Sequence, residues 1–351
     1  MTDSPAGTPA GSTLLDSSGM FEAAATLPEQ VLAAARVAKG TSPRPKEAVR
    51  HVVVAGMGGS GVAGDVLAAT AGPALPVPVV VVKSYTLPAF VGPATVVLAV
   101  SFSGDTEETL ETASQALERG ASLVAVTKGG RLAALAERGG AAVVPVPGDI
   151  PQPRAALGAL AVPLLVTLEE LGLLPGATTQ IQAAVEQLRR RRDQLVGPAG
   201  LAEGLARRIG RTIPLVYGAE ALGAVAAQRW KTEVNENAKT PAFFASYPEL
   251  CHNEVVGWGQ HGDVTRQLLT LVNLRHGYEH PQVARRVRLV EEVVEEVMAG
   301  IIEVSAEGGG ELAQLFDLVL IGDFVSLHLA AQEGLDPGPV PVLEELKSRL
   351  R

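Results

Sequence analysis

The feature that most constrains this chain is an alternation. Short β-branched apolar runs at 51–55, 78–83, 95–100, 121–126 and 141–146 are separated, for the most part, by longer alanine-rich stretches of helical spacing. Strands that read as nearly continuous valine and leucine, with no polar face, must be buried on both sides. The connection that buries them is a helix crossing back over a parallel sheet. The chain is therefore expected to be α/β, a doubly wound parallel sheet flanked by helices. Each run is far shorter than the roughly 20 apolar residues that cross a bilayer, so no membrane partner is expected.

The same plan starts again downstream. A strand at Thr212–Tyr217 is followed by a helix over 219–235, a strand over 267–274, a helix over 282–298, a strand over 301–304 and helices over 311–333 and 342–350. The segments VVVAGMGGSGVAG and PLVYGAEALGAVA both read as strand, glycine turn and small-residue helix, a weak internal duplication. Before the first strand, Phe21–Ala38 has the spacing of a helix. After the fifth, prolines 145, 147, 151 and 153 break the chain, and Arg154–Leu173 reads as a long apolar helix. Residues 178–209 suggest a helical hairpin, with Arg189–Arg192 on a solvated face paired to acids. The expected organisation is a loose tail over 1–18, a first unit over 19–153, a helical connection over 154–209 and a second unit over 210–351.

Charge and composition narrow the partners. With 29 basic and 38 acidic side chains among 351 residues, the net charge is −9, whereas phosphate-backbone binding needs a positive field, so no nucleic acid is expected. At 47% hydrophobic and 19% charged, the chain is too apolar for disorder and long enough for two cores. Cys251 is the single cysteine, which allows neither an internal disulfide nor a cysteine-based zinc site and fits a reducing compartment. The first 18 residues have neither the basic start nor the apolar core of a secretory signal, so a cytoplasmic location is expected. His276 and His280 are four apart, but Gly277 and Pro281 interrupt any helix that would align them, and they read as loop histidines rather than metal ligands.

Two loops stand out. His51–Val54 runs into Gly56-Met57-Gly58-Gly59-Ser60-Gly61 and then a helix, which presents backbone N–H groups to an anion above the sheet. The glycines also spell a dinucleotide fingerprint, yet no acid lies between Asp65 and Asp105 to hold a ribose. The strand Thr95–Val100 ends in Ser101-Phe102-Ser103-Gly104-Asp105-Thr106. Ser101, Ser103 and Thr106 could converge on a phosphate, or Ser103 or Asp105 could simply cap the helix that Glu107 and Glu108 begin. Neighbouring strands of an open α/β sheet bind ligands at such ends.

These residues resemble the sugar isomerase (SIS) domain, with its glycine-rich first loop and Ser-x-Ser-Gly second loop. More narrowly, the chain resembles the bifunctional phosphoglucose/phosphomannose isomerases, through GMGGSG, SFSGDTEET, PRAALG at 153–158, WKTEVNENAKTPA at 230–242, PELCHNEVVGW at 248–258 and the terminal PVLEELK. The resemblance implies two SIS subdomains of flavodoxin-like plan, a homodimer with its active site at the subunit interface, and interconversion of glucose 6-phosphate or mannose 6-phosphate with fructose 6-phosphate. It implies Glu236 as general base, His252 as the ring-opening group lent by the neighbouring subunit, Lys347 at the sugar, and Arg154 stabilising the enediolate. Gly59, Ser60, Ser101, Ser103 and Thr106 would hold the phosphate.

The chemistry asks for the same residue types. Moving a proton between C1 and C2 needs a carboxylate, a developing enediolate suits a guanidinium, and ring opening suits a histidine. No metal or redox cofactor is signalled. Two departures from the family pattern stand out: Asp105 replaces a common asparagine close to the expected phosphate, and Gly338-Pro339 stands where a threonine is usual. The alternatives are an isomerase or lyase of another phosphosugar and a sugar-phosphate-binding SIS protein without turnover.

Overall fold

The computed structural model describes residues 15–196 and 200–350. Strands β1 (His51–Ala55), β2 (Val79–Val82), β3 (Thr95–Ser101), β4 (Ser122–Thr127) and β5 (Ala142–Pro145) form a sheet in the order β2-β1-β3-β4-β5. Every pairing is parallel, with Val53 opposite both Val80 and Val97. Along β3 all seven residues are buried, as an unbroken apolar strand requires. Helices α3 (Gly58–Thr70), α4 (Glu107–Glu118) and α5 (Gly130–Arg138) make the crossovers. The chain reverses direction across the sheet between β1 and β3, which opens a crevice above their carboxyl ends.

A second parallel sheet repeats the plan. Strands β6 (Ile213–Ala219), β7 (Phe243–Tyr247), β8 (Leu269–Arg275) and β9 (Gly300–Ser305) lie in the order β7-β6-β8-β9. This matches the first four strands of the first sheet. The strand β7 and the short helix α10 (Gly262–Leu268) were not anticipated from the sequence. The strand is brief and at the sheet edge, and its Phe243 and Phe244 are exposed, so it lacks the buried apolar signature of its neighbours. Helices α9 (Glu220–Asn237), α11 (Pro281–Val294), α12 (Glu311–Gln332) and α13 (Pro341–Arg349) complete this half.

The N-terminal helix is divided into α1 (Met20–Ala25) and α2 (Leu27–Ala38). Pro28 lacks an N–H and its ring clashes with the carbonyl one turn back, so the helix restarts at Thr26. Of the loose tail expected over 1–18, residues 1–14 lie outside the described residues, and 15–18 are not loose. Asp16 accepts hydrogen bonds from the N–H groups of Met20 and Phe21 at 2.7 and 3.0 Å, and the Ser17 N–H reaches Asp336.

Helices α6 (Leu157–Glu170), α7 (Ala177–Val196) and α8 (Leu201–Ile209) join the halves. Helices α7 and α8 pack with α9 against α12, and α6 packs against α2 and α3. By length and hydropathy α12 could cross a membrane, but 89% of its most apolar window is buried inside the protein, as in a core helix. Trp230 donates its indole N–H to the Leu318 carbonyl at 2.8 Å and lies flat against Gly322, where an added Cβ would come within 2.3 Å of the ring. The Arg189–Arg192 run is not uniformly solvated. Arg189 and Arg192 pair with Glu29, but Arg191 is buried and forms a bidentate pair with buried Asp317 at 2.8 Å on both arms. Gln187 and the Glu307 N–H complete the Asp317 carboxylate. Removing one partner of such a pair strands a buried charge, so Asp317→Ala should lower unfolding free energy by about 3–5 kcal/mol, read from urea denaturation midpoints.

Candidate functional site

The two donor-rich loops meet above β1 and β3. Ser60, buried at the start of α3, accepts the Phe102 N–H at 3.2 Å and so fastens the first loop to the second. Within the second loop, Ser101 Oγ and Thr106 Oγ1 are 2.9 Å apart, the Gly104 N–H donates to Ser101 Oγ, and the Asp105 N–H donates to Ser103 Oγ. Gly104 turns this loop at φ 77°, with its Cα so close to Gly129 that a Cβ would fall 1.9 Å from the Gly129 carbonyl oxygen. Only glycine fits there. Ser101 is buried, Ser103 exposed and Thr106 half-buried. Thr106, rather than Ser103 or Asp105, occupies the N-cap position of α4, without making a side-chain capping bond. Asp105 instead accepts from the backbone N–H and the Nε of Arg131, at 3.2 and 3.1 Å, so its charge is partly offset by a guanidinium.

Arg154 follows the proline break and approaches the first loop from behind. A Cβ on Gly59 would lie 3.2 Å from the Pro153 carbonyl and 3.4 Å from the Arg154 Cα, so the glycine permits that approach. The guanidinium is only 3% exposed, and each of its nitrogens has a partner. Nε donates to Asn237 Oδ1 at 2.8 Å, Nη2 to the carbonyls of Pro337 and Gly338 at 2.7 Å, and Nη1 lies 3.4 Å from Glu236 Oε2. Burial lowers the Arg154 pKa from its ordinary value, opposed by the charges of Glu233 and Glu236. Glu236 retains 32% of its side-chain exposure, which leaves a carboxylate oxygen accessible beside a guanidinium held out of water.

Four further residues of this cluster were not anticipated. Arg229, Glu233 and Asn237 recur every four residues along α9, and all three are buried. Glu233 Oε1 faces Arg229 Nη1 at 2.7 Å as an ion pair without an aligned hydrogen bond. Arg229 also pairs with buried Asp323 at 3.1 Å and donates to the Arg154 carbonyl. The fourth, Lys239, has φ 55° and donates to the carbonyls of Glu236, Asn237, Asp336 and Pro337, so it fastens the end of α9 to the loop that also holds Arg154. Burial lowers the Lys239 pKa. Polar residues at four-residue steps on an otherwise apolar helix face were the available signal.

His252 and Lys347 are both exposed. His252 ends a 3₁₀ turn after β7 and is exposed. Its loop is anchored by Tyr217, which donates to Glu254 at 2.7 Å and accepts from the Trp258 indole at 3.0 Å. Burial raises the Tyr217 pKa, so the phenol keeps its proton. Lys347 is on α13, which has no buried residue. Among the described residues no hydrogen bond or ion pair joins His252 or Lys347 to Glu236 or Arg154. His276 places Nε2 3.0 Å from the Ala219 carbonyl, and His280 caps α11 by accepting the Gln282 N–H.

Two parallel α/β units of repeated strand order, with hydroxyl- and glycine-lined loops over the switch point of the first, define a SIS-class protein. The SIS domain family matches residues 47–138, and the family described as the bacterial phospho-glucose isomerase C-terminal SIS domain matches residues 199–350. The C-terminal domain of glucosamine-fructose-6-phosphate aminotransferase from Francisella tularensis superposes with a TM-score of 0.68 at 15% identity, covering 92% of this chain and 98% of that one. A bifunctional phosphoglucose/phosphomannose isomerase from Caldicellulosiruptor bescii is 36% identical over 336 residues, 94% of this chain and 98% of the relative. One of the same description from Aquifex aeolicus is 34% identical over 303 residues, covering 86% and 91%. This chain belongs to the bifunctional phosphoglucose/phosphomannose isomerase family.

Burial raises the Glu233 pKa to about 8, outweighing the attraction of Arg229, and it raises that of Asp323 as well. The native state then holds a proton that the unfolded chain has released, so stability falls as pH rises toward about 8. Glu233→Gln cannot lose that proton. Between pH 6 and about 8.5 the wild type should lose stability relative to this variant, measured by urea unfolding of the two proteins in parallel buffers.

Proposed function

We propose that the protein is an aldose–ketose isomerase that interconverts glucose 6-phosphate, mannose 6-phosphate or both with fructose 6-phosphate through an enediolate. The observation that carries this reading is the pairing of a buried guanidinium, Arg154, with a partly exposed carboxylate, Glu236, at 3.4 Å, in a chain of this family.

In this reading the units over 19–153 and 210–351, joined by 154–209, divide the substrate. Gly59, Ser60, Ser101, Ser103 and Thr106 hold the phosphate with backbone N–H groups of the first loops and with hydroxyls. Glu236 removes the proton from one of the two adjacent carbons of the open-chain sugar and returns it to the other. Negative charge that develops on the oxygens of the intermediate is met by Arg154, whose orientation is set beforehand and needs no reorganisation during the step. Aldose and ketose are isomers, so the reaction consumes no oxidant or reductant. His252 and Lys347 open the sugar ring, with the partner subunit's His252 completing each site of a homodimer. Such separation in one chain and convergence in two accounts for an exposed histidine on an anchored loop. Phosphorylated sugars do not cross membranes unaided, which supports a cytoplasmic location.

Incubation with fructose 6-phosphate, followed by quantification of both aldose products, tests the activity and measures the epimer balance. Glu236→Gln should lower kcat by at least about 100-fold while fructose 6-phosphate still binds, as followed by calorimetry; turnover near that of the wild type refutes the base. If the site is shared, co-expression of Glu236→Gln and His252→Ala chains should restore about a quarter of wild-type activity, because half of randomly paired dimers carry one intact site. No restoration argues against a shared site.

A further inference from the structure

We propose that Glu233 is a positioning residue for the isomerisation, a buried carboxyl group that holds both the backbone and the side chain of Arg154 and thereby aims its guanidinium at Glu236. This rests on the reading of Glu236 as base and Arg154 as the group that meets the enediolate.

The geometry gives Glu233 two routes to the same residue. Through Oε1 it pairs with Arg229 Nη1 at 2.7 Å, and Arg229 donates from Nη2 to the Arg154 carbonyl oxygen. Through Oε2 it accepts from Asn237 Nδ2 at 3.0 Å, and Asn237 Oδ1 accepts from Arg154 Nε at 2.8 Å. The second donor contact of Asn237, 2.9 Å to Ser326 Oγ, means that the amide nitrogen faces two acceptors while the oxygen faces the guanidinium. Turning the amide over would set donor against donor at Arg154 and leave Glu233 and Ser326 facing an oxygen. One carboxyl group therefore fixes where Arg154 begins and which way its side chain lies.

Glu233 itself is 2% exposed, so it cannot touch the substrate. A well-packed apolar residue would often stabilise such a site at least as well as a buried ionisable group. What it would not supply is two directed contacts behind a guanidinium, where an error near 1 Å can cost about 100-fold in rate. The raised pKa supports the same role, because Glu233 kept protonated near neutrality still offers a carbonyl oxygen to Asn237. Glutamine can reproduce the Asn237 contact, although its amide nitrogen then faces Arg229 Nη1, donor against donor, whereas leucine reproduces neither contact.

The test is steady-state kinetics on fructose 6-phosphate with Glu233→Gln, Glu233→Leu, Asn237→Ala and the Glu233→Leu/Asn237→Ala double variant, with Glu236→Gln in parallel. Glu233→Leu should lower kcat about 30-fold or more with KM within about threefold, and Glu233→Gln, which keeps the Asn237 contact, should lose about tenfold less than the Leu variant. Asn237→Ala, which cuts the side-chain route, should lower kcat by up to as much as Glu233→Leu, and the double variant should fall little below Glu233→Leu, because the route through Asn237 is already released there. Wild-type kcat in Glu233→Leu overturns the proposal, as do equal losses in the Gln and Leu variants or multiplicative losses in the double variant. If Glu233→Leu does not fold, Asn237→Ala decides: a kcat loss at unchanged KM supports the proposal, and an unchanged kcat overturns it. Turnover by Glu236→Gln removes the underlying reading and the proposal with it. An inactive Glu236→Gln beside a fully active Glu233→Leu removes only the proposal.

Discussion

A guanidinium withdrawn from water must find every one of its hydrogen bonds inside the protein, or the cost of burying the charge exceeds what the fold can bear. Arg154 meets that condition by drawing on two separate parts of the chain. Its Nε is met by Asn237 at the end of α9, its Nη2 by the carbonyls of Pro337 and Gly338, and its Nη1 by Glu236. Its backbone carbonyl is held by Arg229. The end of α9 and the segment before α13 therefore converge on one side chain. Behind it, Glu233 and Asp323 both face Arg229 rather than the solvent-facing site.

This arrangement separates two tasks physically. The loops over β1 and β3 are built from glycine, hydroxyl and backbone N–H groups, and their internal bonds fix them before any ligand arrives. In the proposed reaction their hold on the phosphate comes from neutral dipoles, with Asp105 directed toward Arg131. The charged pair Arg154 and Glu236 lies at the junction with the second half. In the proposed reaction the phosphate anchors one end of the sugar and the Arg154–Glu236 pair acts on the other. Gly338 lends its carbonyl to Arg154 and its Cα is covered by Ser18, whose hydroxyl would be 2.3 Å from an added Cβ.

Much of the architecture is legible in the sequence because burial on both faces of a strand leaves an unmistakable apolar run. All five strands of the first sheet, and β6, β8 and β9 of the second, fall at or within two residues of where their valine-rich segments place them. The edge strand β7 is not legible, since exposed Phe243 and Phe244 carry no burial pattern. The division at Thr26 could have been read from Pro28. The burial of Arg191 could not, because a run of four arginines looks the same whether or not one of them meets Asp317 from a helix 126 positions away.

The sequence by itself determined the crossover plan, the two donor-rich loops and the residue types that a proton-transfer site needs, because those properties depend on local spacing and chemistry. Only the tertiary structure decided which polar groups are neighbours. Arg154 and Glu236 are 82 positions apart, Arg154 and Gly338 are 184 apart, and no local pattern records either meeting. The same holds for Glu233, whose place in the helix is ordinary in sequence. Its environment is made by Arg229 one turn away, by Asn237 one turn beyond, and by Asp323 and Ser326 on α12. Burial is a property of what packs on top of a residue, and that is settled only when distant segments come together.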